Sequence, residues 1–151
     1  MSIDQIIKIL NEFVPFSEDD SINENEKFLY ELMSTWKKAE HKEKAIPSIF
    51  HLMERYPHAN FGSPGPLVHA LESAGTKVYN GELHISLLRK PTPLTLWMYN
   101  RLINAENDPK IIKAHIDRLN LFKKHPLTDE VTKKEAEDFI NYQQRRLQSV
   151  H

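Results

Sequence analysis

The sequence contains no cysteine and only four glycines among its 151 residues. The missing cysteine excludes disulfides, thiolate catalysis and cysteine-ligated zinc, and nothing indicates an oxidising compartment. The chain begins MSIDQ, without the basic segment and apolar run that start a signal peptide. No stretch approaches the roughly eighteen uninterrupted apolar residues of a membrane span. We therefore expect a cytoplasmic protein with no membrane segment.

The overall composition is that of a globular protein, with 40% hydrophobic and 27% charged residues. Its length is usual for one domain, so we predict a single domain over residues 1–151. The net charge of −1 provides no field that would attract nucleic acid or anionic lipid. The charge is unevenly distributed, however, because residues 1–40 hold nine acids against four bases.

Apolar residues recur at helical spacing along most of the chain and predict seven or eight short helices. Short linkers between helices favour antiparallel packing of successive helices, in a HEAT-like helical stack or an irregular bundle. The predicted fold class is therefore all-α. Helix starts are predicted at Ser2 with Gln5, Ser63 with Pro64, Thr92 with Pro93, Asp108 with Pro109, and Thr132 with Glu135. Gly75 is predicted to end the helix that begins at Ser63, and a shorter helix is predicted over residues 81–89.

Eight histidines are the first place to look for chemistry. His51 and Glu54 have the spacing of carboxylate-bundle metal sites, but Glu12, Glu31 and Glu54 are predicted on polar helix faces. His115 lies on an apolar stripe and is expected to be partly buried and hydrogen-bonded. Motifs of the HExxH and GxSxG types are absent. We predict no catalytic site, no metal site and no cofactor.

Nucleic-acid binding is not predicted either. Residues 110–151 carry nine bases, but six acids are interspersed among them and would cancel much of the field. A solvent-exposed surface explains this mixture of charges more simply than a row of basic side chains that contacts the phosphates of a nucleic acid.

Residues 18–26 carry five carboxylates and no base. A solvated loop is the plain interpretation of such a segment. The functional interpretation is a surface for a basic protein partner, where charge raises the association rate and selects the partner. The candidate partner-binding residues in this segment are Glu18, Asp19, Asp20, Glu24 and Glu26.

Two further segments combine prolines with residue types that are enriched at binding sites. Residues 56–66 hold three of the nine prolines and two of the four glycines, and form either a rigid inter-helix turn or a binding loop. Their candidate contact residues are Tyr56, His58 and Phe61. In the second segment, residues 89–101, we expect Trp97 in the core and Tyr99 and Arg101 exposed as candidate contacts.

The sequences FGSPGPLVH at residues 61–69 and KPTPLTLWMYNRLIN at residues 90–104 resemble small helical bacterial immunity proteins. Those proteins accompany toxins of contact-dependent growth inhibition and other polymorphic toxin systems. The resemblance covers about a third of the chain and implies a protein that binds one toxin domain, blocks its active site and catalyses nothing. It assigns no contact residue. We expect a monomer that binds a basic toxin domain, a nuclease, in a 1:1 complex; the alternative is a helical adaptor or scaffold for a host protein.

Overall fold

Eight α-helices and one 3-10 turn make up the secondary structure of residues 1–16 and 23–149, the part of the chain that the computed structural model describes. No β-strand occurs in those two ranges, which confirms the predicted all-α fold. The helices are α1 (Ile3–Glu12), α2 (Glu24–Lys37), α3 (Ile46–Arg55), α4 (Pro66–Ala74), α5 (Thr76–Arg89), α6 (Pro93–Asn104), α7 (Pro109–Lys123) and α8 (Glu130–Ser149), and the 3-10 turn, Lys42–Ala45, precedes α3.

Three predicted helix starts are confirmed. The Ser2 hydroxyl accepts a hydrogen bond from the Gln5 amide nitrogen at 3.2 Å, and the Gln5 side chain accepts one from the Ser2 amide at 2.8 Å. Thr92 forms a similar reciprocal cap at the start of α6. Asp108 accepts from the Lys110 amide at 3.0 Å at the start of α7. In each case the side chain satisfies an amide that has no partner within the helix.

The predicted start of α4 at Ser63 and Pro64 is wrong. The helix begins at Pro66, and the residue before it, Gly65, has a φ of +86°. Both Pro64 and Pro66 fit the preference for proline in the first helical turn. Gly65 lies between them in a conformation that a right-handed helix cannot contain, so only the second proline begins the helix.

Two other predicted starts are also wrong. Helix α5 begins at Thr76, directly after Gly75, and Gly81 lies inside it. Helix α8 begins at Glu130, because the Asp129 carboxylate accepts from the Thr132 amide at 2.8 Å and so caps the helix. Thr132 itself is buried within the first turn and does not cap.

Backbone contacts divide the chain into two compact units, Met1–Ile85 and Ser86–His151, and the prediction of a single domain stays a prediction. In the first unit the closest packing joins alternate helices, α1 with α3 and α2 with α4. Trp36 and Phe50 are among the largest buried side chains there, and the Trp36 indole donates to the Lys42 carbonyl oxygen at 2.7 Å. This packing brings the end of α1 to the end of α3.

In the second unit α8 packs against both α6 and α7. The buried Gln143 amide on α8 donates to the side-chain oxygens of Asn100 and Asn104 at 2.7 and 2.8 Å. Arg146, one turn later, donates to the carbonyl oxygens of Ile103 and Glu106, each at 3.1 Å. Arg146 therefore donates to carbonyl groups in the last turn of α6 and in the segment that follows it.

Candidate partner-binding surface

A cleft of about 630 Å³ lies in the first unit between the segment that follows α1 and the segment that follows α3. We call it the Tyr56 cleft. Pro15 comes just after α1 and Pro57 just after α3, and both restrict the backbone of the walls. The cleft is lined by Val14, Pro15, Arg55, Tyr56, Pro57, His58 and Ala59.

Arg55 ties one wall of the Tyr56 cleft to the other. Its guanidinium donates to the Leu10 carbonyl oxygen at 2.8 Å, in the last turn of α1. The same guanidinium lies 5.7 Å from the centre of the Tyr56 ring, within the range of a cation–π contact. A cation at the C-terminal end of α1 also suits the negative end of the helix dipole.

Asn25, in the first turn of α2, connects the residues that directly follow the two walls in the chain. Its side-chain oxygen accepts from the Phe16 amide at 2.8 Å, and its side-chain nitrogen is 3.5 Å from the Asn60 carbonyl oxygen. The side chain is fully buried, at 0% exposure. Since Glu24 and Glu26 flank Asn25 in the chain, two carboxyl-bearing residues lie in the helical turn that holds the cleft.

Four phenylalanines pack together behind the cleft. The Phe13 and Phe28 rings are stacked with centroids 5.5 Å apart, and Phe61 lies 6.1 Å from Phe13. Phe16 contacts Phe28 edge-on at 6.0 Å, yet Phe16 remains 56% exposed. Phe16 is thus anchored on one side by the cluster and open to solvent on the other.

The turn at residues 62–65 packs closely on itself and on α2. A Cβ atom placed on Gly65 would lie 1.6 Å from the Phe61 carbonyl oxygen, and one on Gly62 would lie 2.5 Å from a Glu26 carboxylate oxygen. Both glycines have positive φ angles. Only glycine fits these two positions, so this part of the loop is fixed and Glu26 is held beside it.

Of the predicted contact residues in the first unit, Tyr56 and His58 line the cleft. Glu24 and Glu26 flank Asn25, which contacts Phe16 and Asn60 next to the cleft walls in the chain. The prediction of Phe61 as a contact residue is corrected, because its side chain is buried in the phenylalanine cluster. The predicted contacts Glu18, Asp19 and Asp20 lie outside the described residues.

Sequence reasoning missed Val14, Phe16 and Arg55. Val14 is 67% exposed and lies next to Pro15 on the rim of the cleft. The helical spacing of apolar residues in α1 continues to Val14 in the sequence, but the helix ends at Glu12, so residues 14 and 16 are not part of its buried face. The short apolar run after a helix end, interrupted by proline, was the available signal.

In the second unit Tyr99, predicted to be exposed, is buried, and Trp97, predicted to lie in the core, is half-buried. Tyr99 is 0% exposed, and its hydroxyl lies 2.6 Å from Nδ1 of His115. Burial raises the pKa of Tyr99, while the hydrogen bond and positive charge of Arg118 oppose the rise. Tyr99 is buried because it shares one helix face with Leu96 and Ile103, so its assignment as an exposed contact is wrong.

The neighbouring pair Trp97 and Arg101 is closer to the surface. Trp97 is half-buried and Arg101 is exposed, with its guanidinium 4.9 Å from the Trp97 ring centre. Arg101 therefore remains a candidate contact, supported by a stacking neighbour that holds its side chain in place. His115 is partly buried and hydrogen-bonded, as predicted.

The expected position of Glu54 is also corrected. Glu54 is buried, with an oxygen 3.8 Å from Nδ1 of His51, whereas the helical pattern predicted a polar, solvent-facing position. Across residues 1–16 and 23–149, no three His, Asp or Glu side chains are grouped as a metal site requires. The pair is therefore an ion-pair contact at the edge of α3 when His51 is protonated.

The described residues of this chain form an all-helical fold, and its first unit carries the Tyr56 cleft. None of the described helices has the length and apolar character to cross a membrane. Comparison with protein-family models, curated proteins and solved structures found no match to this chain. Function must therefore be argued from the surface itself.

Proposed function

We propose that this chain is a cytoplasmic immunity protein that binds and neutralises a toxin domain without catalysing a reaction. The observation that supports this proposal is the surface around the Tyr56 cleft. Val14 and Phe16 are largely exposed apolar residues, and Glu24 and Glu26 lie in the adjoining turn of α2. Exposed apolar side chains rimmed by charge are typical of protein-binding surfaces.

The charge of the N-terminal region favours a basic partner. Residues 1–40 have nine acids and four bases, a net charge of −5, and that part of the chain includes α2 and one wall of the cleft. A nuclease toxin must carry a positive cleft to bind nucleic acid. Opposite charges on the two proteins would accelerate association in a 1:1 complex, and added salt would slow it.

The test begins with a tagged form of the protein purified from its native cells, with mass spectrometry of the stoichiometric partner. We expect a basic toxin domain, and a host that expresses this domain should grow only when the immunity protein is co-expressed. Reversing Glu24 and Glu26 to lysine should slow association by roughly tenfold or more at low salt. Reversal of Asp117 and Asp138, exposed acids of α7 and α8, is the matched control.

A housekeeping protein as the stoichiometric partner would favour the alternative of a helical adaptor and would contradict the immunity proposal. A toxin domain that remains lethal despite tight binding would contradict neutralisation. Equal loss of association in the Glu24/Glu26 and Asp117/Asp138 variants would show that only net charge matters, and would remove this surface from the proposal.

A further inference from the structure

The side chains of Arg55 and Asn25 connect the segments that form the Tyr56 cleft. Arg55 joins the α3 side to the Leu10 carbonyl oxygen of α1 at 2.8 Å. Asn25 joins the Phe16 amide to the Asn60 carbonyl, at 2.8 and 3.5 Å. A site that is formed before binding loses less conformational freedom on association, and this favours affinity.

The walls of the cleft are mostly apolar. Val14 at 67% exposure forms the rim, and Phe16 at 56% continues the apolar surface past Pro15. Tyr56 and Pro57 add an aromatic ring and a pyrrolidine ring to the opposite wall. Such walls accept an aliphatic or aromatic side chain, or an extended segment laid across rigid rings.

Charge selects among the possible occupants. Arg55, the cation of the lining, already donates to the Leu10 carbonyl and lies against the Tyr56 ring. The first turn of α2, whose Asn25 contacts Phe16 and Asn60 next to the two walls in the chain, carries the carboxylates of Glu24 and Glu26. A basic residue beside the inserted side chain would meet these carboxylates, whereas an acidic one would be repelled.

We propose that the Tyr56 cleft binds an extended segment of the partner protein that inserts an apolar or aromatic side chain and places lysine or arginine beside it. This inference rests on the proposed function, because it names the part of the toxin that the immunity protein recognises. The inserted side chain supplies the buried contact, and the flanking cation selects this face of the molecule over others.

The first experiment uses a phage-displayed library of random peptides, selected on the immobilised full-length protein. We expect enriched peptides that combine an aromatic or large aliphatic residue with neighbouring lysine or arginine. A synthetic peptide of the enriched sequence should shift the amide NMR signals of Val14, Phe16, Arg55, Tyr56 and residues 58–60. Enrichment of acidic or uncharged peptides, no enrichment, or shifts confined to other residues would overturn the inference.

Val14→Lys is the decisive variant, because it places a positive charge at the rim of the cleft, where it would repel the lysine or arginine of the bound peptide. Binding of the enriched peptide should weaken by roughly tenfold or more. Leu121→Lys is its matched control: Leu121 is also 67% exposed and receives the same charge change, and its affinity should stay within about twofold of the wild type. Equal weakening by both variants would overturn the inference. Unchanged circular dichroism and unfolding midpoints establish that both variants fold.

Protection against the toxin separates this inference from the proposed function. If the Val14→Lys variant protects the host as well as the wild type does, the immunity proposal is retained but the cleft is not part of the toxin-binding surface. If peptides bind the cleft as expected but the protein protects against no toxin, the inferred peptide chemistry is confirmed and the immunity proposal is overturned.

Discussion

Replacing Asn25 by alanine should destabilise the protein although it removes only an uncharged side chain between two glutamates. The side chain is fully buried, and its 2.8 Å bond from the Phe16 amide is lost together with the weaker 3.5 Å contact to Asn60. A lost hydrogen bond contributes about 1 kcal/mol, and an amide left unsatisfied adds about 1–3 kcal/mol when it is buried. Because the Phe16 amide is only partly buried, we expect a total of about 2 kcal/mol.

The assay is thermal and urea unfolding of Asn25→Ala beside Asn11→Ala, an exposed asparagine of α1. A loss of about 2 kcal/mol lowers the melting temperature of a chain of this size by about 4–8 °C. Asn11→Ala should stay within about 0.5 kcal/mol of the wild type. If the two variants are equally stable, Asn25 does not hold the walls of the cleft and the reasoning about that cleft fails.

The remaining predictions concern single positions in each unit. Gly65→Ala should lower the free energy of unfolding by about 3 kcal/mol or more, because the new Cβ would lie 1.6 Å from the Phe61 carbonyl oxygen. Gly81→Ala, with open space beside it in α5, should raise the free energy of unfolding by about 0.5–1 kcal/mol, and urea unfolding measures both changes. Arg146→Lys should lower the free energy of unfolding by about 2 kcal/mol, because a lysine ammonium cannot reproduce the guanidinium hydrogen bonds to the carbonyl oxygens of Ile103 and Glu106. Arg145→Lys, at an exposed position, should leave the free energy of unfolding unchanged. The raised pKa of Tyr99 predicts that stability falls as pH rises above 10.0, since the unfolded chain then releases a proton that the folded protein retains. In unfolding curves between about pH 9 and 11, Tyr99→Phe should show a smaller fall than the wild type, and an unchanged slope would contradict this assignment.

Helix starts were predictable where the signal is local. Ser2 with Gln5 and Asp108 with Pro109 determine their own helix ends through contacts within a few residues. The start of α8 was misread because Thr132 and Asp129 both fit a capping pattern, and the actual bond to Asp129 is not distinguishable in the sequence. Competing local signals, each chemically reasonable, limit such predictions.

The candidate site was less predictable because contacts distant in sequence create it. Asn25 resembles a solvated residue among acids, and its burial depends on Asn60, thirty-five positions away. Trp97 and Tyr99 differ by two positions on one helix, and only the packing of α6 determines which ring is buried. Arg146 on α8 donates to the carbonyl oxygens of Ile103 and Glu106, forty or more positions earlier in the chain. Composition and periodicity carry no information about these pairings.

The glycines of the loop at residues 62–65 bear on how the protein can evolve. Gly62 and Gly65 are fixed by the space around them, so drift at either position would disturb the turn and, with it, the packing on α2. Val14, Phe16 and His58 are exposed, and no positive φ angle limits the residue type at these three positions. Related chains should therefore retain glycine at the two positions while they diversify at the other three. Such a division would let a lineage acquire a new partner by changing surface side chains alone, without rebuilding the turn that positions them.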